Sequence, residues 1–199
     1  MHSKDRSRTY SKKSASAHKF SVLIFLLIAV FVIIWKIVLP QYDLKRYPIK
    51  FSEIVSSAAK EFDLPEQLVY AVIFTESSFN ENAISRANAK GLMQLTDDSN
   101  EWTAMMLGEI TKLNDVFEPK VNIRRGCCLL AYLIKEFGNV ETALAAYNAG
   151  IGRVRGWLSD ENLSSDGKYL DEIPISETRA YVEKVLKIQN KYFELYYSN

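Results

Sequence analysis

The run "DLPEQLVYAVIFTESSF", residues 63–79, reads as a helix. Asp63 stands three residues before Glu66, the spacing of a capping box, and Pro65 falls in the first turn, where a missing amide hydrogen costs nothing. Leu68, Val69, Val72 and Ile73 follow at helical spacing, so the helix is largely buried. Its apolar run closes on one carboxylate, Glu76, with Ser77, Ser78 and Phe79 directly after. A glutamate at a helix end ordinarily faces water. Only its surroundings could make it something else.

The same periodicity continues on both sides. Phe51, Ile54, Val55, Ala58, Ala59 and Phe62 recur at three and four residues upstream. Downstream, "VNIRRGCCLLAYLIKEFG" predicts a helix ending at Gly138, and "NVETALAAYNAGIGRVRGWL" predicts another that breaks between Asn148 and Gly152. A last helical pattern, Tyr181, Val182, Val185, Ile188 and Tyr192, lies within residues 177–197. Strand-like alternation is nearly absent, so the fold class is mostly α. "NENAISRANAKG", residues 80–91, reads as a loop long enough to be a candidate for function.

Ahead of this domain, residues Phe20 to Trp35 carry no charge, and apolar character continues to Leu39 with Lys36 the interruption. About twenty such residues suffice for a membrane helix. Lys36 and Trp35 suit the interfacial layer. Lys4, Arg6, Arg8, Lys12, Lys13 and Lys19 face a single acid, Asp5, which by the positive-inside rule puts the N-terminus in the cytoplasm. A cleaved signal is the competing reading, but the apolar stretch is long for one and no small-x-small site follows it. With no cysteine near the span, a lipoprotein anchor is disfavoured. The expected organisation is a cytoplasmic basic tail over 1–19, a transmembrane anchor over 20–39, a connector over 40–49 and an exported domain over 50–199.

Setting aside the seven Lys/Arg and one acid of residues 1–40 leaves 18 basic and 23 acidic residues, a net charge of −5 for the remainder. Such a surface is a poor partner for nucleic acid. Both histidines, His2 and His18, fall in the tail, so the domain has no Ser-His or Cys-His pair and no imidazole for a metal. Its cysteines, Cys127 and Cys128, are adjacent and read as two small buried hydrophobes. Acid–base chemistry in this domain falls to carboxylates.

Four stretches stand out in order: "ESSF" at Glu76, "GLMQL" at Gly91, "AYNAG" at Ala146 and "ETRAYV" at Glu177. Together they resemble the lytic transglycosylases of the soluble-transglycosylase type, relatives of goose-type lysozyme, over roughly residues 50–195. The resemblance implies a mostly helical, lysozyme-like domain acting on peptidoglycan glycan strands, with no metal or organic cofactor. It implies cleavage of the β-1,4 bond between N-acetylmuramic acid and N-acetylglucosamine by Glu76 alone, first as acid and then as base. The residues agree with the first half of this: a leaving oxygen needs a proton, and burial against Val72 and Ile73, one turn back, would keep a carboxyl protonated. Whether Glu81, Asp97, Asp98 or Glu177 stands opposite as a second carboxylate is open in the sequence.

By the same resemblance Ser85, Met93, Gln94, Tyr147, Asn148, Glu177 and Tyr181 are substrate-side candidates, with the Tyr147 hydroxyl placed to bond and orient the Glu76 carboxyl. Ser77 is read as structural, Gly91 as permitting a close backbone approach, and Gly150 as allowing the helix to break. Glu177, after Ser176, can equally cap the last helix. After "GLMQL" the chain departs from many relatives, with Thr96-Asp97-Asp98-Ser99 where Met-Pro and a Thr-Ala stretch are usual. "ENLSSDGKY", residues 161–169, is a polar loop without an assigned role. Two rival functions stay in play: a hydrolase of the same fold, and a non-catalytic wall-binding scaffold.

Overall fold

The computed structural model describes residue 20, residues 22–112 and residues 114–198. The basic tail, with His2 and His18, lies outside the described residues. The chain divides into two compact units, residues 1–48 and 49–199.

In the first unit one helix, α1, runs Val22–Arg46, with a mean hydropathy of 3.2 in its most apolar window and none of that window buried against protein. By length and composition it can cross a membrane. A π-helical turn occupies Ile34–Val38. Pro40, which has no amide hydrogen for an i→i−4 ladder, stands two residues beyond its end, and such local widening is a usual response to a missing rung. The connector expected over 40–49 is helical through Arg46, where the Tyr47 amide closes the helix on the Asp43 carbonyl at 2.8 Å.

The second unit contains α2 (Ser52–Glu61), α3 (Glu66–Ser77), α4 (Asp97–Met106), a 3-10 turn (Asp115–Phe117), α5 (Pro119–Phe137), α6 (Val140–Ala149), α7 (Ile151–Leu158) and α8 (Ser176–Tyr196). Among the described residues there is no strand, only isolated bridges joining Ile84 to Lys90 and Lys90 to Leu95.

Helix α3 is the core of this unit. Six consecutive residues, Leu68 to Ile73, are at most 1% exposed. Six residues at 100° each cover every face of a helix, so α3 must be wrapped, and it packs against α2 and α8. Burying Leu68, Val69, Val72 and Ile73 is worth on the order of 6–12 kcal/mol against leaving them exposed. The second long helix, α5, packs against α2, α4 and α6, and α6 in turn meets α7 and α8.

The entry to α3 differs from the capping box read in the sequence. Asp63 has φ +53 and terminates α2: the next amide, Leu64, reaches back to the Ala59 carbonyl at 2.9 Å, the six-to-one bond of a Schellman turn. The residue before a proline avoids helical geometry, so α3 cannot begin until Pro65 itself, which serves as its N-cap without a side-chain bond.

Helix α4 was not predicted. Its stretch, "DDSNEWTAMM", buries Asn100, Thr103 and Ala104 and so lacks an apolar stripe. The Thr96 hydroxyl accepts from the Ser99 amide at 3.2 Å, and Asp97 and Asp98 fill the first turn, where carboxylates suit the positive end of the helix. The departure noted after "GLMQL" is therefore a helix start. Helix α4 is held to α5 by Arg125, 2% exposed, which donates to Asn100 Oδ1 at 2.7 Å, Glu109 Oε2 at 2.9 Å and both Asp115 oxygens at 3.1 Å. A guanidinium this deep is tolerated because its fork is satisfied on each side. Cys127 and Cys128 are buried in α5 as free thiols, and burial pushes both upward in pKa.

Candidate active site

Glu76 lies in the last turn of α3. Beyond it Ser78 and Phe79 both adopt left-handed backbone, φ +51 and +64, a conformation costing non-glycine residues about 1–2 kcal/mol each. The Phe79 side chain secures this turn: it is 6% exposed, with its ring 6.3 Å from those of Tyr70 and Phe74. The chain thus leaves α3 sharply and starts the long loop.

That loop folds back through "GLMQL", and a residue absent from the sequence reading pins it. Asn122, fully buried in the first turns of α5, accepts from the Met93 amide at 2.7 Å and donates to the carbonyls of Val116 at 2.8 Å and Lys90 at 3.0 Å. Gly91, φ +75, is where this contact requires glycine: a Cβ there would stand 2.3 Å from Asn122 Nδ2.

The four motifs close into a ring of hydrogen bonds. The Ser77 hydroxyl donates to the Leu92 carbonyl at 2.8 Å, joining the first motif to the second. The Tyr147 hydroxyl donates to the Met93 carbonyl at 2.8 Å, joining the second to the third. The Thr178 hydroxyl donates to Asn148 Oδ1 at 2.9 Å, joining the third to the fourth. The Tyr181 hydroxyl donates to Glu76 Oε1 at 2.7 Å and returns to the start. Stretches separated by up to 105 residues therefore meet at one place, with the Glu76 carboxyl a member of the ring.

Several site residues take other places than the sequence suggested. Tyr147 does not bond Glu76; its hydroxyl serves the Met93 carbonyl, and the carboxyl is held by Tyr181, which is 9% exposed. Met93 is fully buried, its thioether lying where a Cβ on Gly126 would meet it, so it packs against α5 and gives a ligand no side-chain surface. Gln94, φ +51, directs its amide nitrogen to the carbonyls of Gly91 at 2.8 Å and Ala83 at 3.2 Å, which leaves the amide oxygen as what it can offer a ligand. The Ser85 hydroxyl accepts from the Ala89 amide at 3.1 Å and keeps its own hydrogen for a partner. Glu177 does not cap α8: Ile175 is the N-cap, and Glu177 stands exposed in the first turn. Gly150, φ +92, separates α6 from α7. In the unassigned loop, Ser164 is buried with its hydroxyl on the Tyr169 carbonyl at 2.6 Å, which makes it a packing element.

Electrostatics single out Glu76. Burial pushes its carboxyl up to about 7, against the opposing pull of the Tyr181 hydroxyl and the Lys184 ammonium. Desolvation outweighs both because it penalises only the charged form. Near neutral pH the group can both give a proton and take one back. Of the four acids weighed as second carboxylates, Asp97 is held by Lys90 and Asn88. Burial and the adjacent Glu76 charge drive the Tyr147 and Tyr181 hydroxyls well above the usual tyrosine range, so both are donors. Among the described residues no three His, Cys, Asp or Glu side chains gather where a metal could be held.

A family model described as the transglycosylase SLT domain matches residues 53–170. The soluble lytic murein transglycosylase of Salmonella typhimurium is 34% identical over 146 residues, covering 71% of this chain and 23% of that protein. The membrane-bound lytic murein transglycosylase C of Edwardsiella ictaluri is 30% identical over 166 residues, covering 72% of this chain and 46% of that protein. The chain thus spans between about a quarter and a half of the length of these curated relatives. Among solved structures, the lytic transglycosylase Slt of Pseudomonas aeruginosa, in an inactive variant with glutamine replacing one glutamate, superposes with a TM-score of 0.66 at 33% identity, over 75% of this chain and 25% of that one.

Proposed function

The chain belongs to the transglycosylase SLT domain family, and from that membership we propose that it is a membrane-anchored lytic murein transglycosylase, with Glu76 as its acid and base. The observation that carries the reading is the ring of four motif hydrogen bonds ending on a carboxyl poised at about 7. Glu76 first protonates the glycosidic oxygen between N-acetylmuramic acid and N-acetylglucosamine, and the C1–O bond breaks. The resulting carboxylate then takes the proton of the muramic C6 hydroxyl, whose oxygen bonds to C1 and closes a 1,6-anhydro ring. No water is consumed, and the N-acetyl group helps to carry positive charge at C1 between the steps. A single residue suffices because each step restores the protonation state that the other needs.

The inactive glutamine variant of the Pseudomonas relative agrees with a mechanism that depends on one glutamate. Ser85, the amide oxygen of Gln94, Asn148 and Glu177 are the groups we assign to glycan contact. Helix α1 serves as the anchor, with the N-terminus cytoplasmic and the catalytic unit outside; one of the relatives is itself named membrane-bound.

Full-length protein in detergent, incubated with isolated sacculi, tests the reading. Muramic ends lighter by one water and carrying no label from isotopic water are expected, and Glu76→Gln should lower the rate by about 10³-fold or more. Reducing, labelled ends would establish the hydrolase instead. Unchanged lysis by the glutamine variant would remove Glu76 from the chemistry.

A further inference from the structure

On α8, the charged residues flanking Tyr181 at i−4 and i+3 are Glu177 and Lys184. Both are exposed, while Val182 and Val185 on the same helix are buried, so the two charges ride on the edge of the helix beside the inward-turned tyrosine. Seven residues at 1.5 Å rise separate them by about 10 Å along the axis. Two other cations of α8 are paired: Arg179 with Glu172 at 3.3 Å and Lys191 with Glu194 at 3.6 Å. Among the described residues no carboxylate stands within ion-pair distance of Lys184. Its ammonium is close enough to Glu76 to pull that carboxyl toward its charged form. An unpaired cation beside a general acid opposes proton retention, so the position is useful chiefly if an anion other than Glu76 comes there.

The substrate read above supplies one. The sugar backbone of murein is neutral apart from the lactyl ether of the muramic residue, which ends in a carboxylate or in a peptide bearing carboxylates. The charge therefore sits on the sugar whose C1 reacts. We propose that Lys184 is a specificity-determining residue that pairs with this muramic carboxylate, lactyl or peptidic, at the scissile bond. Glu177, about two turns away, repels the same anion and so biases the direction in which a strand lies. The proposal rests on the reading of the chain as a murein transglycosylase.

Full-length protein carrying Glu76→Gln, which cannot turn over, is titrated with three preparations: strands with peptide stems, stem-free strands with free lactyl carboxylates, and strands amidated with a carbodiimide. Adding Lys184→Gln is expected to weaken binding of a carboxylate-bearing strand about fivefold. Lys184→Arg should restore it, and amidated strands should bind both proteins alike. A loss confined to stem-free strands assigns the lactyl group, and one confined to stem-bearing strands assigns the peptide. Equal weakening on amidated strands, or none on any, overturns the proposal while leaving the function intact. Failure of the Lys184-containing protein to bind any strand overturns both.

Discussion

Glu76 holds its proton at a cost that can be measured. Its carboxyl sits at about 7 in the fold against an ordinary value of 4.5. Between those values the folded chain binds more protons than the unfolded one, so stability falls as pH rises through the window. The full penalty, on the order of 3 kcal/mol, is present above about pH 7 and absent below about pH 4.5. Glu76→Gln removes the charge and is expected to raise the melting temperature by at least about 4 °C at pH 8, with no difference at pH 4. Thermal unfolding of both proteins across that range checks it, and a variant less stable at pH 8 would mean that the site is not desolvated. Tyr181→Phe removes a bond that favours the carboxylate, so the Glu76 pKa rises and the alkaline limb of kcat/KM against pH should move up by roughly one unit. Tyr147→Phe touches the Met93 carbonyl instead and should leave that limb in place. The sequence could name both tyrosines as site residues but could not divide their roles. Which hydroxyl reaches the carboxyl depends on how α6 and α8 lie over α3, and residue identity carries no information on that.

At the scale of elements, what a sequence reveals depends on what an element buries. α2, α3, α5 and α8 present apolar stripes or runs and were readable, as was the end of α5 at Gly138, φ +73. α4 buries mostly small and polar groups, and only its cap, Thr96 before two acids, could have announced it. Asn122 and Arg125 were missed for a related reason: polar residues within an amphipathic pattern are taken for its wet face, yet they are 0% and 2% exposed. Each is buried because its partners come from remote loops, Lys90 and Met93 for Asn122, Glu109 and Asp115 for Arg125. Asn122→Ala would strand the Met93 amide and the Val116 and Lys90 carbonyls. Denaturant unfolding should show a loss of about 3 kcal/mol or more, at the upper range for a single substitution. A loss under about 1 kcal/mol would mean that the loop carries itself. Because "GLMQL" is the hub joining Ser77 and Tyr147, the same variant should lose turnover even where it remains folded.

For the whole molecule the question is what α1 contributes. The unit over residues 49–199 has its own core, and none of the most apolar window of α1 is buried. Removing that window therefore subtracts no core area, and hydrophobic stabilisation scales with area removed from water. Attachment is another matter. Residues 41–199 carry a net charge of −5, which an anionic leaflet repels, so nothing in their charge would keep them on a membrane. A fragment beginning at Ile49 is expected to melt within about 2 °C of the full chain and to cleave soluble glycan strands at an equal rate, since about 1 kcal/mol shifts a domain of this size by that much. It should remain at the bottom of a flotation gradient with anionic vesicles while the full-length chain rises with them. Flotation of the fragment would locate a membrane contact within residues 49–199. A fragment that melts far lower would show that α1 stabilises that unit as well as tethering it.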